Sequence, residues 1–203
     1  MTDAAAPAQP AVRAVSAGYR GYAMGLLLLI YVMNFVDRQV VNILAEPIKR
    51  ELGLLDWQVG AMSGLAFALF YTVLGLPIAR AAERGHRPFI IAGALALWSL
   101  FTALCGLAQT FTQLLLARIG VGVGEAGCTP PAHSLITDYV PKEKRASALA
   151  FYSMGTPLGS LVGMGLGGLI ADAHGWRMAF IVCGIPGVVL AIVAALTLVE
   201  PRI

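Results

Sequence analysis

The residues able to do chemistry in this sequence sit where polar groups are costly. Asn34, Asp37 and Arg38 lie in one apolar stretch, and Arg118 and Glu125 lie in another. A charge near the centre of a bilayer costs about 2.5–3.5 kcal/mol on insertion scales, so ionisable groups inside a span are functional candidates by default. Asp37 and Arg38 are sequence neighbours and point in different directions around a helix, so each requires a partner on another helix. Glu125 is the expected partner of Arg38, provided that the two stretches meet. Arg118 stands two helical turns before Glu125 on the same face and is expected to line the same cavity nearer the outside. A movable Arg38–Glu125 bridge is a proton-dependent latch, because protonating the carboxylate removes its charge and releases the guanidinium. The competing reading is a static buried ion pair that fixes helix packing. Thr129, Pro130 and Pro131 follow Glu125 directly and predict a kink beside it.

The elements that must position these residues are membrane spans. The 203 residues are 58% hydrophobic and 12% charged, with mean hydropathy +0.78, whereas an ordinary soluble domain is about 25% charged. The apolar residues run together in stretches of about 20, the length that crosses a hydrocarbon core of roughly 30 Å as a helix. Spans are predicted at residues 22–44, 57–79, 88–109, 112–138, 146–171 and 177–199. Pro47 with Lys49, Arg50 and Glu51 is expected to end the first, and Asp56 to cap the second. Gln109 to Gln113 reads as a tight polar turn, and Asp172 to Trp176 divides the fifth span from the sixth. Residues 1–20, rich in Ala and Pro, read as a disordered cytoplasmic tail, leaving residues 21–203 as one six-helix bundle.

Basic residues outside the spans crowd one side. Arg13, Arg20, Arg80, Arg84, Arg87, Lys142, Lys144, Arg145 and Arg202 face Lys49, Arg50 and Arg177. The positive-inside rule then places both termini in the cytoplasm, as an even number of spans requires. It also explains the net charge of +3 without nucleic acid. Gly60 with Gly64, and Gly155, Gly159 and Gly163, recur at four-residue spacing that lets helices approach closely, and Gly165, Gly167 and Gly168 extend the crowding.

Several chemistries are excluded. Cys105, Cys128 and Cys183 are isolated in apolar runs and read as small buried hydrophobes. His86, His133 and His174 lack metal-ligand spacing, so no metal is expected, and only His133, in the inner part of span four, is a candidate for titration. Gly120, Gly122 and Gly124 follow no strand and are not a nucleotide fingerprint. Ser63 lacks the glycine and histidine context of an intramembrane serine protease. No enzyme activity and no catalytic residue are expected.

Two motifs together resemble a known family. Asn34-Phe35-Val36-Asp37-Arg38-Gln39, and Arg118 to Glu125 followed by Ala126, Gly127, Thr129 and Pro130, are similar to the first- and fourth-helix signatures of the spinster-like branch of the major facilitator superfamily. The resemblance covers residues 20–200. Ala79, Glu83, Arg84 and Arg87 follow the superfamily's loop after span two, with Ala79 at its glycine and Glu83 at its aspartate. Asp138, Pro141 and Arg145 match the next cytoplasmic loop, and Gly175, Trp176, Arg177 and Phe180 match the start of span six.

The resemblance implies an all-α membrane protein: a six-transmembrane-helix bundle of two inverted three-helix repeats, half of a twelve-helix fold working by alternating access. It implies that Asn34, Asp37, Arg38, Arg118 and Glu125 serve proton coupling and the substrate cavity. Glu83, Arg84, Arg87, Asp138 and Arg145 would form a cytoplasmic gating loop. No cofactor is expected beyond a proton gradient, with sodium as the alternative coupling ion. The expected partners are membrane lipid, a small organic or lipid-like substrate, and either a missing C-terminal six-helix half or a second copy of this chain. The expected location is a bacterial inner membrane. A non-transporting membrane scaffold is the competing function.

Overall fold

The computed structural model describes residues 15–202, apart from the side chains at 65–67, 76, 78, 79 and 81–84. Among the described residues every regular element is helical. Span one is α1 (Ala17–Leu52). Ser16 caps it by accepting from the Tyr19 N–H at 3.2 Å. Residues 17–20 are therefore helical rather than part of a disordered tail, and residues 1–14 lie outside the described region. Nor does Pro47 end this helix. It sits inside α1, which stops only at Gly53, where a left-handed φ of 63° turns the Gly53 N–H onto the Lys49 carbonyl. Glycine has no Cβ to clash in that conformation, so it makes the better stop.

Span two is built from α2 (Asp56–Gly60), a π turn at Ala61–Leu65 and α3 (Ala66–Arg84). Asp56 is its first helical residue rather than its cap, and the carboxylate accepts from Lys49 at 2.5 Å. The Gln58 side chain instead satisfies the Leu55 N–H at 2.8 Å. Span three is α4 (Arg87–Cys105). The turn after it is held as the sequence predicts: Thr110 accepts from the Gln113 N–H at 3.3 Å, and the Gln113 side chain accepts from the Gln109 N–H at 2.8 Å.

Span four is broken into α5 (Phe111–Ala126) and α6 (Thr129–Tyr139), with Gly127 and Cys128 at the break. Pro130 and Pro131 stand in the first turn of α6, where a missing N–H leaves no helical bond unmade. After a 3₁₀ turn (Lys142–Lys144), span five starts as α7 (Arg145–Ser153) and continues into α8 (Gly155–Thr197). α8 also contains span six, and the expected boundary narrows to Gly175, the non-helical residue within it at φ 83° and ψ 164°. Among the described residues four helical stretches are long and apolar enough to cross a membrane. Gly175 divides the last of these into two, and the broken α5–α6 supplies the sixth span.

Glycine contacts give the packing directions. A Cβ on Gly155 would strike Tyr31, on Gly159 the Val32 carbonyl, on Gly163 the Val36 backbone and on Gly167 the Val40 side chain. Both sets of numbers rise together, so span five runs parallel to α1. Gly184 and Gly187 meet Ala103, Ser99 and Leu95 of α4 in descending order, and so span six runs back antiparallel to span three. Gly120 and Gly124 press on Phe101 and Trp98, placing α5 antiparallel to α4 on its other side. Gly60, Gly64, Gly165 and Gly168 meet nothing within 4 Å among the described residues, so the expected close packing at those four positions is not seen there. The bundle's outer surface is apolar: Leu161, Leu169, Ile185, Val189, Ile192 and Leu196 are all exposed. Lipid tails solvate such a surface as well as a protein core would.

Candidate functional site

Spans one and four meet at the predicted pair. Arg38 Nε donates to Glu125 Oε2 at 2.9 Å, and a terminal guanidinium nitrogen lies 2.8 Å from the same oxygen. The Glu125 side chain is wholly buried, while that of Arg38 keeps 31% of its surface open. The guanidinium carbon sits 5.2 Å from the ring centres of both Phe35 and Tyr71, so spans one and two hold the cation between π faces. Among the described residues Glu125 Oε1 accepts no hydrogen bond, with the Asn34 side chain nearby. One carboxylate oxygen therefore holds the bridge while the other stays available.

Asp37 turns away from Arg38, as neighbouring positions on a helix must. It is buried, and Oδ2 accepts from the Thr102 hydroxyl of α4 at 3.1 Å. Arg118 and Glu125 lie near enough to act on its charge. The Trp98 indole is also nearby, but its N–H is not in hydrogen-bonding geometry. Asn34, one turn before Asp37, is buried beside Glu125, with neither carboxamide atom hydrogen-bonded. Two arginines and two carboxylates thus share one interior cluster. Their formal charges cancel, which is the condition under which a low-dielectric interior accepts four ionisable groups.

An opening of about 240 Å³ adjoins the cluster, lined by Phe35, Arg38, Gln39, Asn42, Ser63 and Arg118. The expectation that Arg118 shares Arg38's cavity matches this geometry. Ser63 belongs to the π turn and donates to the Val59 carbonyl at 2.8 Å. π turns are frequent where a helix is adapted to a site.

A second charged cluster closes the basic end of the bundle. Arg87, at the start of α4, is almost fully buried and reaches two acids. Nη1 donates to Asp138 Oδ2 at 2.6 Å and to Ser134 Oγ at 2.8 Å. Nε donates to Glu200 Oε2 at 2.9 Å, Nη2 also bonds Glu200, and the Arg87 N–H completes the grip at 3.0 Å. Arg202 Nε bonds the same Asp138 oxygen at 2.6 Å. The Tyr19 hydroxyl donates to the Thr197 carbonyl at 2.9 Å and accepts from the Val199 N–H at 2.7 Å, while Tyr139 donates to the Val199 carbonyl at 2.5 Å. Burial would raise the Glu200 carboxyl, but the Arg87 hydrogen bonds and charge outweigh it and hold the group below its usual 4.5.

Of the predicted gating residues, Arg87 and Asp138 come together here. Arg145 does not join them, since its Nε donates to the Val140 carbonyl at 3.2 Å. Glu83 and Arg84 fall among the side chains outside the described residues. Glu200, Arg202 and Ser134 were not expected. The available signal was an acid just past span six, on the side of the membrane that holds Arg87 and Asp138.

At the opposite end a smaller clasp joins three turns. Trp176 Nε1 donates to Glu51 at 2.6 Å, Arg177 pairs with the same carboxylate, and Arg177 also donates to the Ala108 carbonyl at 3.0 Å.

Comparison with known proteins places this arrangement. The family model described as Major Facilitator Superfamily matches residues 27–203. A crystal structure of a bacterial homologue of the human lysosomal transporter Spinster, inward-facing and unoccupied, superposes with a TM-score of 0.87 at 41% identity, covering 92% of this chain and 44% of that one. An MFS-type efflux pump of Mycolicibacterium smegmatis is 42% identical over 83% of this chain and 39% of its own length. A probable L-galactonate transporter of Escherichia coli is 32% identical over 84% of this chain and 37% of its own. The chain spans less than half the length of these relatives.

Proposed function

We propose that this chain, which belongs to the Major Facilitator Superfamily, forms the N-terminal half of a proton-coupled secondary transporter in which Arg38 and Glu125 are the coupling pair. Its relatives are transporters rather than enzymes, and its fold is the all-helical half of theirs. The observation that carries the coupling role is asymmetry in the pair. Glu125 is wholly buried with one oxygen unengaged, and Arg38 is partly open to the cavity. A proton arriving on the free oxygen cancels the charge holding Arg38, and the guanidinium can then turn to an anionic substrate. Asp37, held by Thr102 and close to Arg118, is the second acid of the relay.

The substrate is an organic anion or an anionic, lipid-like amphiphile. Arg38 and Arg118 at the cavity support the negative charge. The name of the probable L-galactonate transporter points to an anion as well. The second six-helix bundle supplies the opposite wall, and the expected setting is a bacterial inner membrane with both termini in the cytoplasm.

The test is Glu125→Gln in a protein that carries both bundles, reconstituted in vesicles. The expected result is loss of pH-gradient-driven uptake with insertion and counterflow exchange retained, because glutamine cannot cycle a proton. Gradient-driven uptake at the unmodified rate would refute the coupling role.

A further inference from the structure

The wall of the cavity changes chemistry at Arg38. Tyr31, Phe35, Arg38 and Asn42 follow one another at helical spacing along a single strip of α1. Outward of Arg38 the lining is polar, with Gln39, Asn42 and Ser63. Inward of it Phe35 is the lining ring, and beyond the lining it is continued by rings from spans one, five and four. Tyr31 meets Phe35 edge-on at 5.1 Å and 80°, and stacks on Tyr152 of span five at 4.4 Å and 17°. His133 of span four meets Tyr152 edge-on at 5.3 Å and 79°. Tyr152 is buried and is the packing member, whereas Tyr31 and Phe35 are partly open and His133 is exposed. The guanidinium between Phe35 and Tyr71 shows that this rim already holds a planar group between rings.

We propose that Phe35 and Tyr31, backed by Tyr152 and His133, form the body site of the cavity and select a carboxylate carried on a flat aromatic ring. The carboxylate pairs with Arg38 once the proton has displaced Glu125, and the ring lies inward against Phe35 and Tyr31. This rests on the Arg38 cavity being the substrate site. A sugar acid would set its hydroxyl groups against rings that return few hydrogen bonds. A flexible acyl chain would cover the rings without matching their quadrupoles, which reward offset-stacked and edge-to-face neighbours beyond the area they bury.

Benzoate and cyclohexanecarboxylate have the same charge and nearly the same size, and differ in planarity and π character. Their binding to a protein that carries both bundles, in lipid nanodiscs and measured by calorimetry, separates the readings. The expected result is benzoate tighter by roughly three- to tenfold, the affinity equivalent of an aromatic pair. Phe35→Leu should erase that preference by weakening benzoate more than cyclohexanecarboxylate. Tyr31→Phe, which keeps the ring, should preserve it, and circular dichroism of each variant confirms the fold. Equal binding of the two acids, or tighter binding of octanoate or galacturonate than of benzoate, would overturn the ring site and leave the anion site standing. If none of these carboxylates binds, the anion site falls and the ring site with it.

Discussion

Two arginine–carboxylate clusters occupy this bundle, and they are built oppositely. At the basic end Arg87 is almost completely enclosed, its side chain shared among Asp138, Glu200 and Ser134, with its backbone N–H engaged as well. In the membrane interior Arg38 leans on one oxygen of one carboxylate and keeps 31% of its side-chain surface open. The first arrangement leaves little for either partner to do except hold elements together. The second leaves one carboxylate oxygen without a hydrogen bond among the described residues and part of the Arg38 side chain open to the cavity, as a pair that must open and close requires. The structure therefore distinguishes a clasp from a latch by how fully each group is satisfied, and not by distance, since both contain bonds of ordinary length.

Removing the clasp should have the largest effect on stability. Arg87→Met strands Glu200 and leaves Asp138 only Arg202 as an ionic partner, and breaking a buried pair from one side costs about 3–5 kcal/mol, read as lowered thermal stability in detergent. Glu125→Gln should cost markedly less in the same assay, because Arg38 can turn to the cavity. Equal losses would erase the distinction between clasp and latch.

Gly159→Val tests what brings the latch together. Its Cβ would stand 2.5 Å from the Val32 carbonyl oxygen, so spans one and five must separate. Overpacking of this kind costs about 1–3 kcal/mol, whereas Gly165→Val, with nothing within 4 Å, should be tolerated.

Acid should loosen the clasp at Glu200. Its folded-state value lies below 4.5, so its stabilising contribution is complete above that ordinary value and is lost as the pH falls through the lower, folded one. Glu200→Gln should flatten stability between neutral pH and that acid range, as measured by unfolding midpoints against pH. The smallest effect belongs to the clasp at the opposite end. Glu51→Gln removes a partly exposed pair worth about 0–1 kcal/mol, and a larger loss would promote that end to a second structural clasp.

Some of this was legible one residue at a time. The spans, the divergence of Asp37 from Arg38 and the break after Glu125 all follow from local rules about length, helical angle and proline. The Glu200 contact did not, because it joins residues 113 positions apart and the acid looks in sequence like the start of a linker. The glycine pattern was half readable: the spacing was visible at Gly60 and Gly64 as well as at Gly155, Gly159 and Gly163, but only the second set faces a helix.

The sequence by itself determined how many times the chain crosses the membrane and which charges lie at depth, since the bilayer imposes its length and its desolvation cost on each segment separately. Only the tertiary structure decided which arginine meets which acid. That choice depends on the register and direction in which spans pack, and the register is set by where a glycine on one helix meets the backbone of another.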